Sequence, residues 1–134
     1  MILRIRTTAD VELKLSDLDK KLKLSSKAAI MRLAIVCSLK MNGDPRIKAD
    51  EVRHYDVRNQ DGLDYQRLTV FGQMEEYYKI LITEFALNEI TDEEFFPELT
   101  YYHIERGVNY LNSEYRYLND RDKFFNKLIE LGDK

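Results

Sequence analysis

The sequence is poor in the residues from which many catalytic and metal sites are built. Its 134 residues include one cysteine, two histidines and no tryptophan. Two histidines and one cysteine cannot form a Cys/His zinc site, and one thiol cannot hold an iron–sulfur cluster. No Walker A or G-x-G-x-x-G segment occurs, so the common phosphate-binding loops are missing as well. We therefore expect no catalytic residues, no metal site and no cofactor, and a protein that is not an enzyme on its own.

Long apolar runs are also missing. No stretch reaches the roughly 18 unbroken apolar residues that a membrane-spanning helix requires. Arg4 and Arg6 are not followed by the apolar segment of a signal peptide. The single cysteine, Cys37, excludes an internal disulfide and lies in an apolar segment, where a small core residue is a better interpretation than a nucleophile. These features favour a cytoplasmic protein with no membrane segment.

Neither half of the chain is balanced in charge: the first half has fewer acidic than basic residues, and the second half has fewer basic than acidic residues. Residues 1–67 carry 14 Lys/Arg against 10 Asp/Glu, whereas residues 68–134 carry 7 against 14, for a total of −3. This split suggests a front that faces a polyanion and an acidic rear that meets a basic partner. The alternative is that both halves are simply solvated helix surfaces.

The most apolar segment runs from Leu24 to Met41 and is interrupted by few polar residues. A helix that is apolar nearly all round is a buried helix. Ser25 or Ser26 is suited to cap its N-terminus. The rest of the chain, or another subunit, is therefore expected to cover this helix.

The residues before this helix predict a strand and a second helix. Met1–Thr8 alternates with a period of two, which indicates a strand. Ala9–Leu22 places four apolar residues on one stripe, which indicates an amphipathic helix capped by Thr7 or Thr8. Because no clear strand lies nearby, the same strand of a second subunit is the expected partner. The order strand, helix, turn, helix is that of a ribbon–helix–helix unit.

In a β-ribbon reader of DNA the outward side chains of the ribbon enter the major groove. Here they would be Arg4 and Arg6, with Thr8, while the start of the buried helix would offer Lys27 and free amides to phosphate. The alternative is that the two arginines are merely solvated strand residues.

The chain is expected to be one domain, residues 1–134, with a mainly α fold and a ribbon–helix–helix-like start over residues 1–41. Turn-forming residues make residues 42–71 a loop-rich excursion that ends in the β-prone stretch Tyr65–Phe71. Two alternatives exist for the arginines of this excursion. Either they contact the phosphate backbone of a nucleic acid, or their charges are neutralised by neighbouring acidic residues. Residues 72–132 are expected to be helical, with a T-x-x-E capping box at Thr91–Glu94.

Four segments together resemble the DndE family, the small component of bacterial DNA phosphorothioation systems. The most specific is the string His-Ile-Glu-Arg-Gly at His103–Gly107. The others are the S-x-x-A-x-x-R-x-A run of Ser26–Ala34, the stretch Tyr65–Gly72, and the Thr91–Glu94 box.

This resemblance implies a small helical protein that assembles into a tetramer and binds DNA, with a preference for nicked duplex. It implies action beside a sulfur-transfer enzyme and an ATPase, which exchange a non-bridging phosphate oxygen for sulfur. The family's DNA contacts are lysines, and four lysines here lie near the turn between the first two helices: Lys20, Lys21, Lys23 and Lys27. The candidate DNA-binding set is therefore these lysines together with Arg4 and Arg6.

Two functions remain open at this point. The first is an accessory DNA-binding and scaffolding subunit of a DNA sulfur-modification complex, with the acidic half docked on the sulfur-transfer enzyme. The alternative is a ribbon–helix–helix transcriptional regulator or a purely protein-interaction subunit. The net charge of −3 is unfavourable for an autonomous DNA binder, because affinity for duplex depends on neutralising phosphates.

Overall fold

The computed structural model describes residues 1–133. Over these residues the chain forms one mainly α domain with an N-terminal strand, as predicted, and has six α-helices and four short strands in all. The helices are α1 (Ala9–Leu22), α2 (Lys27–Leu39), α3 (Arg67–Phe71), α4 (Glu75–Ala86), α5 (Thr100–Leu118) and α6 (Arg121–Gly132). The strands are β1 (Arg4–Arg6), β2 (Ile47–Lys48), β3 (Glu51–Val52) and β4 (Asp64–Gln66). None of these helices is long and apolar enough to cross a membrane.

The centre of the core is α2, as its composition predicts, and α5 packs along it. Seven of the 13 residues of α2 are buried, and Ser26 caps its first turn by accepting a hydrogen bond from the Ala29 amide at 3.2 Å. The closest approach of the two helices is at Gly107, where a Cβ atom would overlap the backbone of Ala34. The two backbones therefore touch directly, and only glycine fits at this crossing.

The amphipathic helix predicted after the first strand is confirmed. The four apolar residues of its stripe are at most 1% exposed: Val11, Leu15, Leu18 and Leu22. Thr8 is the cap, since its hydroxyl accepts from the Val11 amide at 3.2 Å. Lys23 ends the helix in the left-handed conformation, with φ of 53°.

The prediction that the first strand pairs with the same strand of a second subunit is wrong. β1 pairs antiparallel with β4 of the same chain, with Ile5 opposite Tyr65. Its outer edge is occupied at Arg6, whose amide donates to the Tyr55 hydroxyl at 2.9 Å and whose carbonyl accepts from Gln60 Nε2 at 2.9 Å. An intersubunit ribbon through this strand would have to break those bonds. The strand–helix–turn–helix order is present, but the ribbon is internal.

The stretch predicted as β-prone, Tyr65–Phe71, is only partly a strand. It leaves β4 at Gln66 and continues as the short helix α3. Arg67, at the first position of α3, has a side chain that is only 5% exposed and pairs with both Glu75 and Asp92 at 2.7 Å. Its guanidinium also donates to the Ile2 carbonyl at 3.1 Å and lies 5.0 Å from the centre of the Phe96 ring. This buried ion cluster joins the residues just before β1 to α3, α4 and the start of the capping box.

The capping box is confirmed as a reciprocal pair. The Glu94 amide donates to the Thr91 hydroxyl at 3.1 Å, and the Thr91 amide donates to the Glu94 carboxylate at 3.2 Å. The irregular helical turn that follows loses helical geometry at Phe96, because the residue before a proline is disfavoured in the α conformation. The long helix α5 therefore starts after Pro97, at Thr100.

Candidate nucleic-acid interface

The structure divides the six predicted DNA-binding residues into separate groups. Arg4 and Arg6 precede α1, whereas Lys20, Lys21 and Lys23 lie at its C-terminal end. A helix of 14 residues is about 21 Å long, which is more than twice the Debye length of about 8 Å at physiological salt. The strand arginines and these three lysines therefore lie at opposite ends of α1.

The two strand arginines differ in their free charge. The Arg6 guanidinium faces Asp64 on the neighbouring strand and donates to both carboxylate oxygens, at 2.7 and 3.1 Å. This contact lowers the pKa of Asp64, so the pair stays ionised and its charges cancel. Arg4 lies opposite Gln66 and is exposed. Only Arg4 of the two offers an unneutralised charge to a phosphate.

The lysines at the end of α1 form the better-defined cationic site. Lys20 and Lys23 are exposed. Lys21 pairs with Asp17 at 2.8 Å and lies 5.2 Å from the centre of the Tyr115 ring. A fourth cation, Arg121, comes from the start of α6 and donates twice to the Leu22 carbonyl, at 3.1 Å each.

We call the set Lys20, Lys21, Lys23 and Arg121 the basic corner. It lies at the C-terminal end of α1, where the helix dipole favours cations. Carboxylates are present in the same segments, namely Asp17, Asp19, Asp120 and Asp122. These four carboxylates equal the four cations in number, so attraction to a polyanion depends on how the exposed lysines are presented.

Lys27 is committed to a contact inside the protein. Its ammonium pairs with Glu12 at 2.8 Å, and the same carboxylate accepts from the hydroxyls of Tyr65 and Thr7. Burial opposes ionisation of Glu12, but these three donors together keep its pKa below the ordinary value. Lys27 thus stabilises the junction of α1, α2 and β4 and has little free charge for a phosphate.

The arginines of the 42–71 excursion are mostly neutralised by the chain's own acids. Arg46 pairs with Asp44 and Glu98, both at 2.7 Å. Arg53 pairs with Glu105 at 2.8 Å, and Arg58 pairs with Asp56 at 2.8 Å. Of the two alternatives for this excursion, the structure favours internal balance over reach across a backbone.

The His-Ile-Glu-Arg-Gly string has a structural role at the α2–α5 crossing. His103 Nδ1 lies 2.8 Å from the Ser38 hydroxyl. Arg106 donates to that hydroxyl at 2.8 Å and to the carbonyls of Ser38, Asn42 and Gly43, and so caps the end of α2. Gly107 allows the close approach to Ala34. The string therefore fixes the central helix pair and the loop that follows it.

Over residues 1–133, no group of three His, Cys, Asp or Glu side chains is placed to hold a metal ion. Cys37 is 3% exposed, and burial raises the pKa of its thiol to about 11.

Fold and site together define a small, mainly helical protein with a strand–helix–turn–helix start and one localised cationic corner. Residues 4–119 match the family described as DNA sulphur modification protein DndE, and the chain belongs to that family. This confirms the resemblance drawn from the four sequence segments.

A comparison with solved structures agrees on the fold. The chain is similar to the crystal structure of DndE from Escherichia coli B7A, involved in DNA phosphorothioation modification, with a TM-score of 0.60 and 17% identity. The match covers 83% of this chain and 97% of the other. None of the curated proteins compared with the sequence matches it.

Proposed function

We propose that the protein is an accessory, non-catalytic subunit of a DNA phosphorothioation complex that binds duplex or nicked DNA through its basic corner. Membership of the DndE family supports a role in DNA sulfur modification. In the complex, a sulfur-transfer enzyme and an ATPase carry out the chemistry, and this subunit positions the DNA for them.

The basic corner is the observation that carries the DNA-binding role. It unites cations from α1 and α6 around one helix end, and Lys20 and Lys23 are exposed there. Elsewhere, Arg6, Arg46, Arg53 and Arg58 are paired with carboxylates. Because the chain carries a net charge of −3, binding is expected to be weak, tolerant of sequence and strongly dependent on salt.

The experiment is a fluorescence anisotropy titration of intact and nicked duplex over a series of salt concentrations. We expect Lys20→Glu/Lys23→Glu to weaken binding at least about tenfold at low salt, because two phosphate contacts become repulsive. The slope of log affinity against log salt should fall by about 2, one for each lost phosphate contact.

A matched control is Lys40→Glu/Lys48→Glu, which makes the same change in net charge at two exposed residues outside the basic corner. Its affinity should stay within about threefold of wild type, because exposed charges farther than a Debye length act weakly. Equal losses in the two variants would mean that net charge alone, and not the corner, governs binding.

We further propose that the protein is a homo-oligomer, a tetramer by family resemblance, with α4 at a subunit contact. Ile82 is the one residue of α4 that is buried. Apolar side chains on and beside this helix are exposed by 40–89%: Val36, Met74, Tyr77, Ile80, Leu81 and Leu87. An apolar face of this extent on a small protein is typical of an interaction surface.

Tyr77→Glu/Leu81→Glu is therefore expected to lower the mass in solution, measured by light scattering after size-exclusion chromatography, to that of a smaller species. Two buried charges in a subunit contact cost several kcal/mol. Tyr117→Glu is the control, since Tyr117 is 86% exposed near the end of α5. An unchanged mass in the α4 variant would place the contact elsewhere.

The alternative functions predict different results in the same titration. A ribbon–helix–helix regulator would bind one operator far more tightly than other duplexes, and the internal pairing of β1 with β4 weighs against it. A purely protein-interaction subunit would bind no DNA at low salt while its oligomer stayed intact. For the proposed subunit, the acidic half of the chain is the surface suited to a partner protein.

A further inference from the structure

A cavity of about 360 Å³ lies between the C-terminal end of α4, the loop after α2 and the start of α5. Its inner wall is mostly apolar and is formed by Ile82, Phe85, Ala86, Ile90 and Leu99. Its mouth is polar and includes Asn42, Asp44, Arg46 and Asn88. A dry apolar cavity of about 150 Å³ is already large enough to hold benzene, so this cavity has room for an aromatic ring with substituents.

One buried polar group of the lining has no partner. His103 is 1% exposed, and its Nε2 is the one buried side-chain polar atom within residues 1–133 that makes no hydrogen bond. The other ring nitrogen, Nδ1, faces Ser38 at 2.8 Å. Since His103 also lines the cavity, we infer that its Nε2 edge is turned toward this space.

The hydrogen bonds around Ser38 decide which nitrogen of His103 carries the proton. Arg106 Nε donates to the Ser38 hydroxyl oxygen at 2.8 Å. The hydroxyl proton of Ser38 is then directed to His103 Nδ1, the other partner of that oxygen. On this arrangement we assign Nδ1 as the acceptor and Nε2 as the nitrogen that carries the hydrogen. Burial, followed by the Arg106 charge, lowers the pKa of His103 to about 3, so the ring is neutral at physiological pH.

The charged groups at the mouth bond to the chain's own residues, and the carboxylates outnumber Arg46, so an anion is disfavoured there. Arg46 pairs with Asp44 and with Glu98, both at 2.7 Å, and the carboxylate of Glu94 accepts from the Thr91 amide. A neutral ligand therefore enters at lower desolvation cost than a charged one. The rings of Phe85 and His103 meet in a T-shaped pair, 5.2 Å between centroids, and a ligand ring can pack against Phe85 in the same way.

We propose that the cavity is a binding site for a neutral phenol group, whose ring packs between Ile82, Phe85 and Leu99 and whose oxygen accepts a hydrogen bond from His103 Nε2. The group is supplied either as a free small phenol or as the tyrosine side chain of a peptide. This site is separate from the basic corner, and its occupation does not depend on DNA binding.

The test is an NMR titration of the ¹⁵N-labelled full-length protein with p-cresol and, in parallel, with toluene. Both probes fit the apolar walls, but only p-cresol has an oxygen to accept from Nε2. An unpaired buried donor is costly, so p-cresol is expected to bind about tenfold more tightly than toluene and to shift the Nε2–H resonance of His103. N-acetyltyrosinamide distinguishes the sources, because it binds only if the mouth admits a peptide backbone.

Two variants complete the test. His103→Leu should bind p-cresol and toluene equally, because the donor is gone. Ala86→Leu, which fills the cavity without touching the Ser38 contact, should bind neither, and it provides the answer if His103→Leu does not fold. Equal binding of the two probes to the wild type overturns the proposal. So does a bound water molecule on Nε2 that p-cresol does not displace.

Discussion

Gly107→Ala is expected to lower the free energy of unfolding by about 3 kcal/mol. The new Cβ would overlap the backbone of Ala34 on α2, and backbone atoms cannot rotate away as the end of a flexible side chain can. Forcing the helices apart opens the core that α2 and α5 share, and overpacking of this kind costs about 1–3 kcal/mol or more. The intrinsic gain of alanine over glycine in a helix, about 1 kcal/mol, offsets only part of the loss. Urea denaturation followed by circular dichroism measures the change.

Gly132→Ala is the matched control. Gly132 is the last residue of α6, and a Cβ there meets no atom within 4 Å. We expect this variant to be as stable as wild type or slightly more stable, because the same substitution is made without a clash. If both variants kept wild-type stability, the close crossing of α2 and α5 would be disproved.

Arg67→Met is the second large effect, with an expected loss of about 3 kcal/mol. The substitution leaves two carboxylates, Glu75 and Asp92, without the cation between them. Removing one partner of a buried ion pair costs about 3–5 kcal/mol. The carboxylates are 30% and 28% exposed and regain some hydration, which places the expected loss at the lower end. The loss of the contact with the Ile2 carbonyl also loosens the anchorage of β1.

The same cluster predicts a pH dependence. Hydrogen bonding to Arg67 lowers the pKa of Asp92 below its unfolded value, which is about 3.9. The contribution of the pair is therefore fully present above about pH 4 and is lost as the pH falls through the lower, folded pKa of Asp92. Arg67→Met should flatten this acid-side loss of stability in urea titrations between about pH 4 and pH 2.

Arg58→Met separates this effect from a general loss of charge. Arg58 also pairs with an aspartate, Asp56, but its side chain is 85% exposed. Solvent screens an exposed pair and its net contribution to stability is small, so this variant should be nearly as stable as wild type. A comparable loss in the two variants would contradict the special role of the buried cluster.

Local patterns in the sequence predicted the helices well. The stripe from Val11 to Leu22 and the Thr91–Glu94 box depend on residues three or four positions apart, and both are present as predicted. The burial of α2 could also be predicted from its composition alone, because most of its side chains are apolar. In each case the prediction depends either on contacts between residues close in sequence or on the burial of apolar side chains.

The partner of β1 could not be predicted in this way. β4 has only three residues, so it is too short to show a period of two, and it follows closely on the turn-forming pair Asp61-Gly62. What selects it is tertiary: Arg6 faces Asp64, and Tyr65 reaches Glu12 on α1 at 2.7 Å. The five residues after it are β-prone by composition, yet the buried ion pairs of Arg67 hold the start of α3 in a helix.

The candidate site was predicted only in part for the same reason. The lysines at the end of α1 were recognisable as a cluster, whereas the pairing of Lys27 with Glu12 depends on the angle at which α2 crosses α1. Arg121 was missed. It reaches the Leu22 carbonyl across 99 positions of sequence, and nothing near it in the chain marks it as different from other exposed arginines.

The burial of Cys37 has a consequence for the route that sulfur takes. A cysteine receives a sulfur atom from another protein when its thiolate attacks the outer sulfur of a persulfide and the donor leaves as a thiolate, so the acceptor thiol must be ionised and reachable. The chain's one cysteine is 3% exposed in α2, and its thiol has a pKa of about 11, so it meets neither condition. In the proposed complex, sulfur therefore passes from the transfer enzyme to the DNA without being bound covalently to this subunit. The proposed role of this subunit is to hold the DNA in place.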